Sequence, residues 1–317
     1  MKFLRYSIKV KYHIATEGEQ REKEKGMFPN TNLPAFNLAV STLLKNPSHF
    51  LPNLTISTFL DLPEQLGPYL HPPHQRPPAS TNSAESSDIS SSVSSLSSVS
   101  NAKKSTATIP TTTSNYPTIR ALVLDKDNTL CPPGTTDFPR AYLRKLESLR
   151  TSPTSSFNLT SNPHAILVVS NTAGSRPEST RYEAEAQHIE KTLAPLGISV
   201  FRVPRGGMTH RKPFCDKEVL AWFQERGVVQ RADEIAVVGD RLATDVILAA
   251  RMGAWSVWCK DGVNGHTDSS HNDDGSNSNR NNIDHRTFLA KMEIILEKYL
   301  RENRGLKPPF PEGWGTK

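Results

Sequence analysis

The chain has 317 residues and a formal net charge of +6, and only 36% of its residues are hydrophobic. A mean hydropathy of -0.50 and a pI of about 9.2 describe a polar, basic protein, which suits an anionic partner such as phosphate, nucleic acid or anionic lipid. No stretch approaches the roughly 18 apolar residues of a membrane-spanning helix, and three distant cysteines without a CxxC motif argue against a disulfide scaffold or a zinc ribbon.

Residues 1–26 form a basic leader. They carry seven Lys or Arg and four Glu, and the first 13 residues include four basic side chains and no acid. Such a start is typical of a mitochondrial presequence, although this one lacks the Arg and Ser richness of a strong example. Translation from Met27 is the alternative, so the leader either targets the protein or lies upstream of the true start.

Residues 27–78 form an apolar, Pro-rich segment in which Pro34–Lys45 is predicted to be an amphipathic helix. An uncharged apolar run continues from this helix to Leu60. Two interpretations stay open: the helix packs on the protein's own core or on a partner subunit, or its apolar face binds a membrane surface. A linker at 79–115 follows, in which 20 of the 36 residues from Ser80 to Asn115 are Ser or Thr, and we predict that it is disordered.

Between residues 116 and 263, short apolar segments alternate with helical patterns. The predicted strands are Ala121–Leu124, Ile166–Ser170, Ile198–Val203, Ile235–Val238 and Ala254–Trp258, and the predicted helices are Pro139–Leu149, Arg181–Leu193, Cys215–Arg226 and Thr244–Met252. This alternation predicts one α/β domain, a Rossmann-like doubly wound parallel sheet whose ligand site lies at the carboxyl ends of the strands. A polar insert at 264–285, predicted to be disordered, precedes a C-terminal helix and tail at 286–317.

Acidic residues follow the first and the fourth of these strands. Asp125 and Asp127 come directly after the first strand, and Asp240 and Asp245 follow the fourth. Carboxylates at i and i+2 can project into one crevice. Because close like charges oppose joint ionisation, such a pair is costly unless a cation lies between the two side chains. Oxygen ligands in this number suit Mg²⁺ rather than zinc. The sequence therefore predicts a magnesium site at the carboxyl edge of the sheet.

Polar and basic residues follow the second and the third strands. Ser170 and Asn171 offer a hydroxyl and an amide that could hydrogen-bond phosphate oxygens, although both residues are also common in turns. Lys212 could neutralise a phosphoryl group and the carboxylate that attacks it. It lies in a basic stretch with Arg202, Arg205 and His210. A solvated basic loop is the alternative interpretation of this stretch.

Taken in chain order, these motifs resemble those of the haloacid dehalogenase-like (HAD) phosphatases. The strings that carry the resemblance are LDKDNTL at 124–130, VVSNTAGS at 168–175, HRKP at 210–213 and VVGDRLATD at 237–245. In full they are similar to the mitochondrial phosphatidylglycerophosphate phosphatase family of fungi, as is the stretch that follows Asn46. Lys126 stands where many HAD members carry an apolar residue, but the close family shares it.

The resemblance implies a role for each motif residue. Asp125 would be the nucleophile that forms an aspartyl-phosphate, and Asp127 would be the general acid and base. Ser170 and Lys212 would hold the phosphoryl oxygens. The Mg²⁺ site would comprise Asp125, Asp127 through its backbone carbonyl, Asp240, and Asp245, which would act through water or by orienting Lys212.

The spacing of the motifs bears on the substrate. Asp127 and Ser170 are 43 positions apart, and Ser170 and Lys212 are 42 apart, which leaves no room for a large cap domain. A capless site is open to a bulky substrate or to a phosphate presented at a surface, so it suits a lipid headgroup. The residues predicted to meet a second, bridging phosphate are Arg202, Arg205, His210 and Arg241.

The resemblance implies a Mg²⁺-dependent phosphatase that makes phosphatidylglycerol for cardiolipin biosynthesis, acting peripherally at the matrix face of the mitochondrial inner membrane. We expect a phospholipid substrate and a membrane surface as partners, and no nucleic acid; a homo-oligomer stays open. One alternative is a capless HAD phosphatase acting on a nucleic-acid end, a phosphoprotein or a soluble phosphate ester. Another is a non-catalytic scaffold that uses the linker for partners, which the four intact motifs disfavour.

Overall fold

The computed structural model of the chain describes residues 33–70, 116–204, 211–263, 288–312 and Trp314. The predicted leader, the Ser/Thr-rich linker and the polar insert lie outside the described residues, as do Arg205 and His210. Within these ranges no helix combines the length and the hydropathy that crossing a membrane would require.

A six-stranded sheet forms the centre of the molecule. Its strands are β1 (Leu54–Ile56), β2 (Ala121–Leu124), β3 (Ile166–Val168), β4 (Ser199–Val200), β5 (Ile235–Gly239) and β6 (Trp255–Cys259). The strand order is β1-β6-β5-β2-β3-β4, and every neighbouring pair is parallel. From β2 the chain winds outward through β3 and β4, and it then returns to β5 on the other side of β2. The order therefore reverses between β2 and β5, which is where open α/β sheets bind their ligands.

Helices cover both faces of this sheet. They are α1 (Leu33–Lys45), α2 (Arg140–Thr151), α3 (Thr180–Leu193), α4 (Asp216–Glu225), α5 (Ile247–Met252) and α6 (Phe288–Lys298). Leu122 and Leu124 share one buried cluster with α2 and α3, whereas Ala121 and Val123 share a second cluster with α4 and α5. This alternation along a single strand confirms the predicted doubly wound α/β fold.

The described residues between the motifs contain no separate cap domain. The interval from Asp127 to Ser170 holds α2, a loop and β3, and the described part of the interval from Ser170 to Lys212 holds α3, β4 and loops. Arg150 at the end of α2 is buried and donates to the carbonyl oxygens of Leu196, Asn162 and Pro163 at 2.7, 3.0 and 2.7 Å. The loop after α2 is thereby fixed to the amino ends of β3 and β4.

The N-terminal segment contributes a strand that the sequence analysis did not predict. Leu54–Ile56 pairs with β6, so the sheet begins upstream of residue 116, where the core was predicted to start. Phe59, Leu62, Leu66 and Leu70 are buried in the same cluster as β2. Gly67 packs so closely on the segment leading to β2 that a Cβ there would lie 2.3 Å from the Pro117 carbonyl oxygen. Residues 54–70, the part of the segment after α1, therefore pack on the protein's own core.

A third buried cluster joins α1 and α6 to the short π-helix Leu242–Val246 that precedes α5. Ala39 of α1 and Val246 belong to it, and the partly buried Ile294 of α6 packs against it. The elements at the two ends of the described chain thus pack beside the loop that follows β5, where the acids Asp240 and Asp245 were predicted.

The three cysteines are free and buried. Burial raises the pKa of the Cys131 and Cys215 thiols to about 12, so neither is a thiolate at neutral pH. Their environment is that of small apolar side chains in a packed core.

Candidate active site

The carboxyl ends of β2 and β5 hold the first and the last acidic motif side by side. Leu124 pairs with Val238, so Asp125 and Asp240 both emerge from the reversal point of the sheet. A Cβ on Gly239 would lie 2.3 Å from the Asp245 Cγ, so only glycine allows that carboxylate to lie against β5. The backbone thus sets the acids next to one another before any side-chain contact is considered.

Three carboxylates and one lysine form the centre of this edge. Oxygens of Asp125, Asp240 and Asp245 lie within 4.8 Å of one another. Lys212, which is 2% exposed, forms an ion pair with Asp125 and lies 2.7 Å from Asp245 through its Nζ. The lysine therefore holds the predicted nucleophile and Asp245 in one arrangement.

The charges of this cluster are only partly compensated. Burial raises the pKa of Asp125 to about 6; Asp245 adds to the rise, and Lys212 opposes it. Burial, Asp125 and Asp245 raise the pKa of Asp240 well above its usual range. Although burial alone would lower the pKa of Lys212, Asp125 and Asp245 raise it overall. Three acids around one lysine, with oxygen donors only, fit a divalent metal ion.

The Asp127 carboxylate does not share this cluster, contrary to the predicted cation between Asp125 and Asp127. Its Oδ1 accepts from the Gly134 amide at 2.9 Å and lies 3.0 Å from the Lys126 Nζ. Its Oδ2 accepts from the Thr172 hydroxyl at 3.0 Å. These polar neighbours come from the loop after β2 and the loop after β3. The Asp127 side chain therefore has different partners from those of Asp125.

Ser170 and Asn171 lie at the same edge, after β3. The Ser170 hydroxyl oxygen accepts from the Thr172 amide at 3.0 Å and shares a 2.9 Å hydrogen bond with the Thr172 hydroxyl. Asn171 Nδ2 lies 3.4 Å from the Lys212 carbonyl oxygen, while its buried Oδ1 has no hydrogen-bond partner among the described residues. Motif two is therefore joined to Asp127 through Thr172 and to Lys212 through Asn171.

The predicted basic residues differ in where the structure places them. Arg241 lies beside the cluster, and although desolvation would lower the pKa of its guanidinium, the nearby carboxylates of Asp240 and Glu293 raise it overall. Arg202 instead forms ion pairs with Glu190 at 2.6 Å and with Glu183 at 3.1 Å. Because these two carboxylates of α3 neutralise it, Arg202 is engaged away from the acidic cluster, which argues against its predicted contact with a second phosphate.

Comparison with known proteins assigns the chain to a family. The family model described as mitochondrial PGP phosphatase matches residues 33–264. The chain belongs to this family. "Phosphatidylglycerophosphatase GEP4, mitochondrial" of Saccharomyces cerevisiae is 36% identical over 148 residues, 47% of this chain and 70% of that protein. "Probable phosphatidylglycerophosphatase, mitochondrial" of Schizosaccharomyces pombe is 33% identical over 149 residues, 47% of this chain and 63%, less than two thirds, of that protein.

Two solved structures overlap with part of this PGP phosphatase family member. An uncharacterized protein from Listeria monocytogenes is 18% identical with a TM-score of 0.30, covering 44% of this chain and 78% of its own. A protein from Mesorhizobium loti described as HAD-like is 19% identical with a TM-score of 0.32, covering 46% and 75%.

Two residues of this PGP phosphatase site were given no role by the sequence pattern. Asn128, at φ 60°, donates from Nδ2 to Asp240 at 2.9 Å and accepts the Val263 amide at 3.2 Å. The Thr129 hydroxyl lies 3.4 Å from Asp125 Oδ2. Both belong to the LDKDNTL string, so the signal was present, but a string of letters does not say which acid each side chain contacts.

Proposed function

We propose that this protein is a phosphatidylglycerophosphate phosphatase, which releases the terminal phosphate to give phosphatidylglycerol in cardiolipin biosynthesis. The observation that carries the proposal is the buried Lys212 held between Asp125 and Asp245 at the reversal point of the sheet. Membership of the mitochondrial PGP phosphatase family and the names of the two yeast relatives support the choice of substrate.

The proposed reaction has two steps that share one pair of aspartates. First, a carboxylate oxygen of Asp125 attacks phosphorus, the bond from phosphorus to the lipid alcohol oxygen breaks, and Asp127 gives its proton to that oxygen. Next, water attacks the phosphorus of the aspartyl-phosphate, Asp127 takes its proton, and Asp125 leaves as a carboxylate with release of inorganic phosphate. Lys212 and Ser170 stabilise the charge on the phosphoryl oxygens in both steps.

The carboxylate cluster is the proposed site of Mg²⁺. Asp125 and Asp240 would hold the ion together with the backbone carbonyl of Asp127, and Asp245 would support it while orienting Lys212. When bound, the ion would neutralise the cluster and polarise the phosphoryl oxygens. The all-oxygen donor set supports magnesium over softer metals.

Phosphate release from phosphatidylglycerophosphate in mixed micelles tests the proposal. We expect Mg²⁺-dependent release by the wild type and none by Asp125→Asn, whose side chain keeps the shape but lacks the charged nucleophile. A phosphorylated oligonucleotide, a phosphopeptide and a soluble alkyl phosphate, assayed side by side, test the alternative substrates. Absence of lipid hydrolysis by folded wild type, or substantial release by Asp125→Asn, would contradict the proposal.

We further propose that the enzyme works peripherally on the matrix face of the mitochondrial inner membrane. The two yeast relatives are named as mitochondrial. Leu44 of α1 is 75% exposed and Ile295 of α6 is 62% exposed, and these apolar side chains support contact with lipid. Deleting the N-terminal segment would remove β1 from the sheet, so point substitutions give the cleaner test.

Liposome flotation compares Leu44→Asp and Ile295→Asp with Ala184→Asp, a control with the same added charge on an exposed position of α3. We expect the first two variants to float less while hydrolysing a soluble ester normally. Flotation equal to that of the control would contradict a membrane role for these side chains.

A further inference from the structure

Lys126 lies between the two aspartates of the first motif, and neither proposed step uses it. The side chain is only 1% exposed, so its ammonium is inaccessible to a substrate in the cleft. Burying a charged ammonium is costly unless it is paired and hydrogen-bonded. We therefore expect the Lys126 ammonium to have partners inside the protein that compensate the cost of its burial.

The partners of Lys126 are a backbone carbonyl oxygen and two carboxylates. Its Nζ donates to the Thr135 carbonyl oxygen at 3.0 Å and lies 3.9 Å from Glu185 Oε2, a buried oxygen of α3 with no hydrogen-bond partner among the described residues. The same Nζ lies 3.0 Å from Asp127 Oδ1. The lysine thus connects the Asp127 carboxylate to α3 and to the loop after β2.

Thr172 holds the same carboxylate from another direction. Its hydroxyl donates to Asp127 Oδ2 at 3.0 Å, and its own amide is bonded to Ser170 at 3.0 Å. With Lys126 and the Gly134 amide on Oδ1, both carboxylate oxygens have fixed partners. Rotation of Asp127 about its terminal bond would break contacts on both sides.

We propose that Lys126 and Thr172 are positioning residues that hold the Asp127 carboxyl in line with the leaving oxygen of an alkyl phosphate. This inference rests on the proposed phosphatase function. Lys126 acts through Asp127, because its own ammonium is buried. The bond that breaks is the phosphorus–oxygen bond to the alcohol, and the proton of Asp127 goes to that alcohol oxygen.

The chemistry of the leaving group makes this role measurable. An alkoxide is a strong base and leaves poorly without a proton, whereas p-nitrophenolate leaves without one. A misplaced general acid therefore slows an alkyl ester more than an aryl ester. Since kcat/KM reports the first chemical step from free enzyme and substrate, it isolates the transfer in which the alcohol departs.

The experiment compares kcat/KM for phosphatidylglycerophosphate in mixed micelles and for p-nitrophenyl phosphate. For Lys126→Met we expect a loss of about 10²-fold on the lipid and a loss about tenfold smaller on the aryl ester. The control is Lys191→Met on the exposed side of α3, which should leave both values unchanged. Equal losses on the two substrates, or no loss on the lipid, would overturn the inference.

A second pair of variants, at Thr172, tests the inference with the lipid substrate alone, and its conservative member controls for misfolding. Thr172→Val removes the hydroxyl at nearly constant volume, and Thr172→Ser keeps it; on the lipid we expect a loss for the former and near wild-type kcat/KM for the latter. Equal behaviour of the two variants would overturn the role of Thr172.

Lys126→Met combined with Glu185→Gln removes the carboxylate that would lose its cation, and it should retain the leaving-group dependence of the single variant. Loss of that dependence in the folded double variant would overturn the role of Lys126. A wild-type enzyme that hydrolyses neither ester would instead contradict the proposed function itself, so the two failures are distinguishable.

Discussion

Two buried cations at opposite ends of the sheet have opposite surroundings. At the carboxyl end, Lys212 contacts the carboxylates of Asp125 and Asp245. At the amino end, Arg150 is surrounded by backbone carbonyls, among them those of Leu196 and Pro163, each at 2.7 Å. Lys212 is bound by carboxylates that could change partners during a reaction, whereas Arg150 is bound by backbone carbonyl groups whose positions are set by the fold.

The protonation equilibria reflect this difference. Carboxylates raise the pKa of Lys212 despite its burial, whereas burial without a carboxylate lowers the pKa of Arg150 to about 10. A buried cation beside acids can hold a negatively charged phosphoryl group. A buried cation beside carbonyls instead donates hydrogen bonds to backbone oxygens around the loop after α2 that would otherwise have no donor.

The largest expected effect comes from removing the cation at the carboxyl end. Lys212→Met should lower kcat/KM for phosphatidylglycerophosphate by about 10²–10³-fold or more, because one charge-stabilising group of a phosphoryl-transfer site is lost. Phosphate release and circular dichroism together check this. A folded variant with near wild-type kcat/KM would show that Lys212, like Arg150, has only a structural role.

The same substitution at the amino end should affect stability instead. Arg150→Met leaves several buried carbonyls without a donor, so we expect the free energy of unfolding to fall by about 3 kcal/mol, with kcat per folded molecule unchanged. Urea unfolding monitored by tryptophan fluorescence gives the first quantity. A large loss of kcat in molecules that remain folded would remove the contrast.

A smaller effect separates metal binding from catalysis within the carboxyl end. Asn128 holds Asp240 at 2.9 Å, and its φ of 60° suits glycine, so Asn128→Gly deletes the amide without adding backbone strain. We expect the Mg²⁺ concentration for half-maximal activity to rise about tenfold, with kcat at saturating Mg²⁺ nearly retained. An unchanged Mg²⁺ requirement would contradict a role for Asn128 in orienting Asp240.

The smallest effect concerns the contact of α6 with the carboxyl end. Glu293 accepts the Ala243 amide at 3.2 Å, and burial raises its pKa from 4.5 to about 7. A raised pKa in the folded state means that the stability contributed by protonated Glu293 is present below pH 4.5 and is lost as the pH rises through about 7. The melting temperature of the wild type should therefore fall more between about pH 5 and about pH 8 than that of Glu293→Gln. Parallel pH profiles would contradict this titration.

The central strands and the acids at their ends could be predicted from the sequence, because a strand buried on both faces is a continuous apolar run. Asp125 and Asp240 follow such runs directly, so their shared edge required only the parallel topology. The three-residue strand β1 carries no such signal, since Thr55 interrupts it and Pro52 precedes it. Its pairing depends on β6, which lies far away in sequence.

Side-chain partners were the least predictable part. Arg202 lies in the basic stretch before Lys212, and its charge suggested a phosphate. Its partners, Glu183 and Glu190, lie on the preceding helix and come within reach only after α3 folds back along β4. The orientation of Asp127 was missed for the same reason: Thr172 and Lys126 belong to recognised motifs, but no spacing rule directs their polar atoms at one carboxylate.

The close approach of Gly67 to Pro117 also bears on which changes the catalytic core tolerates. The two residues are 50 positions apart in the chain, and the core holds them in contact. Because an added Cβ would meet a backbone oxygen and not the end of a flexible side chain, any other residue at position 67 would force one of the two segments to shift. A single glycine therefore sets how closely the N-terminal segment can approach the chain that enters β2, and its loss should destabilise the catalytic core.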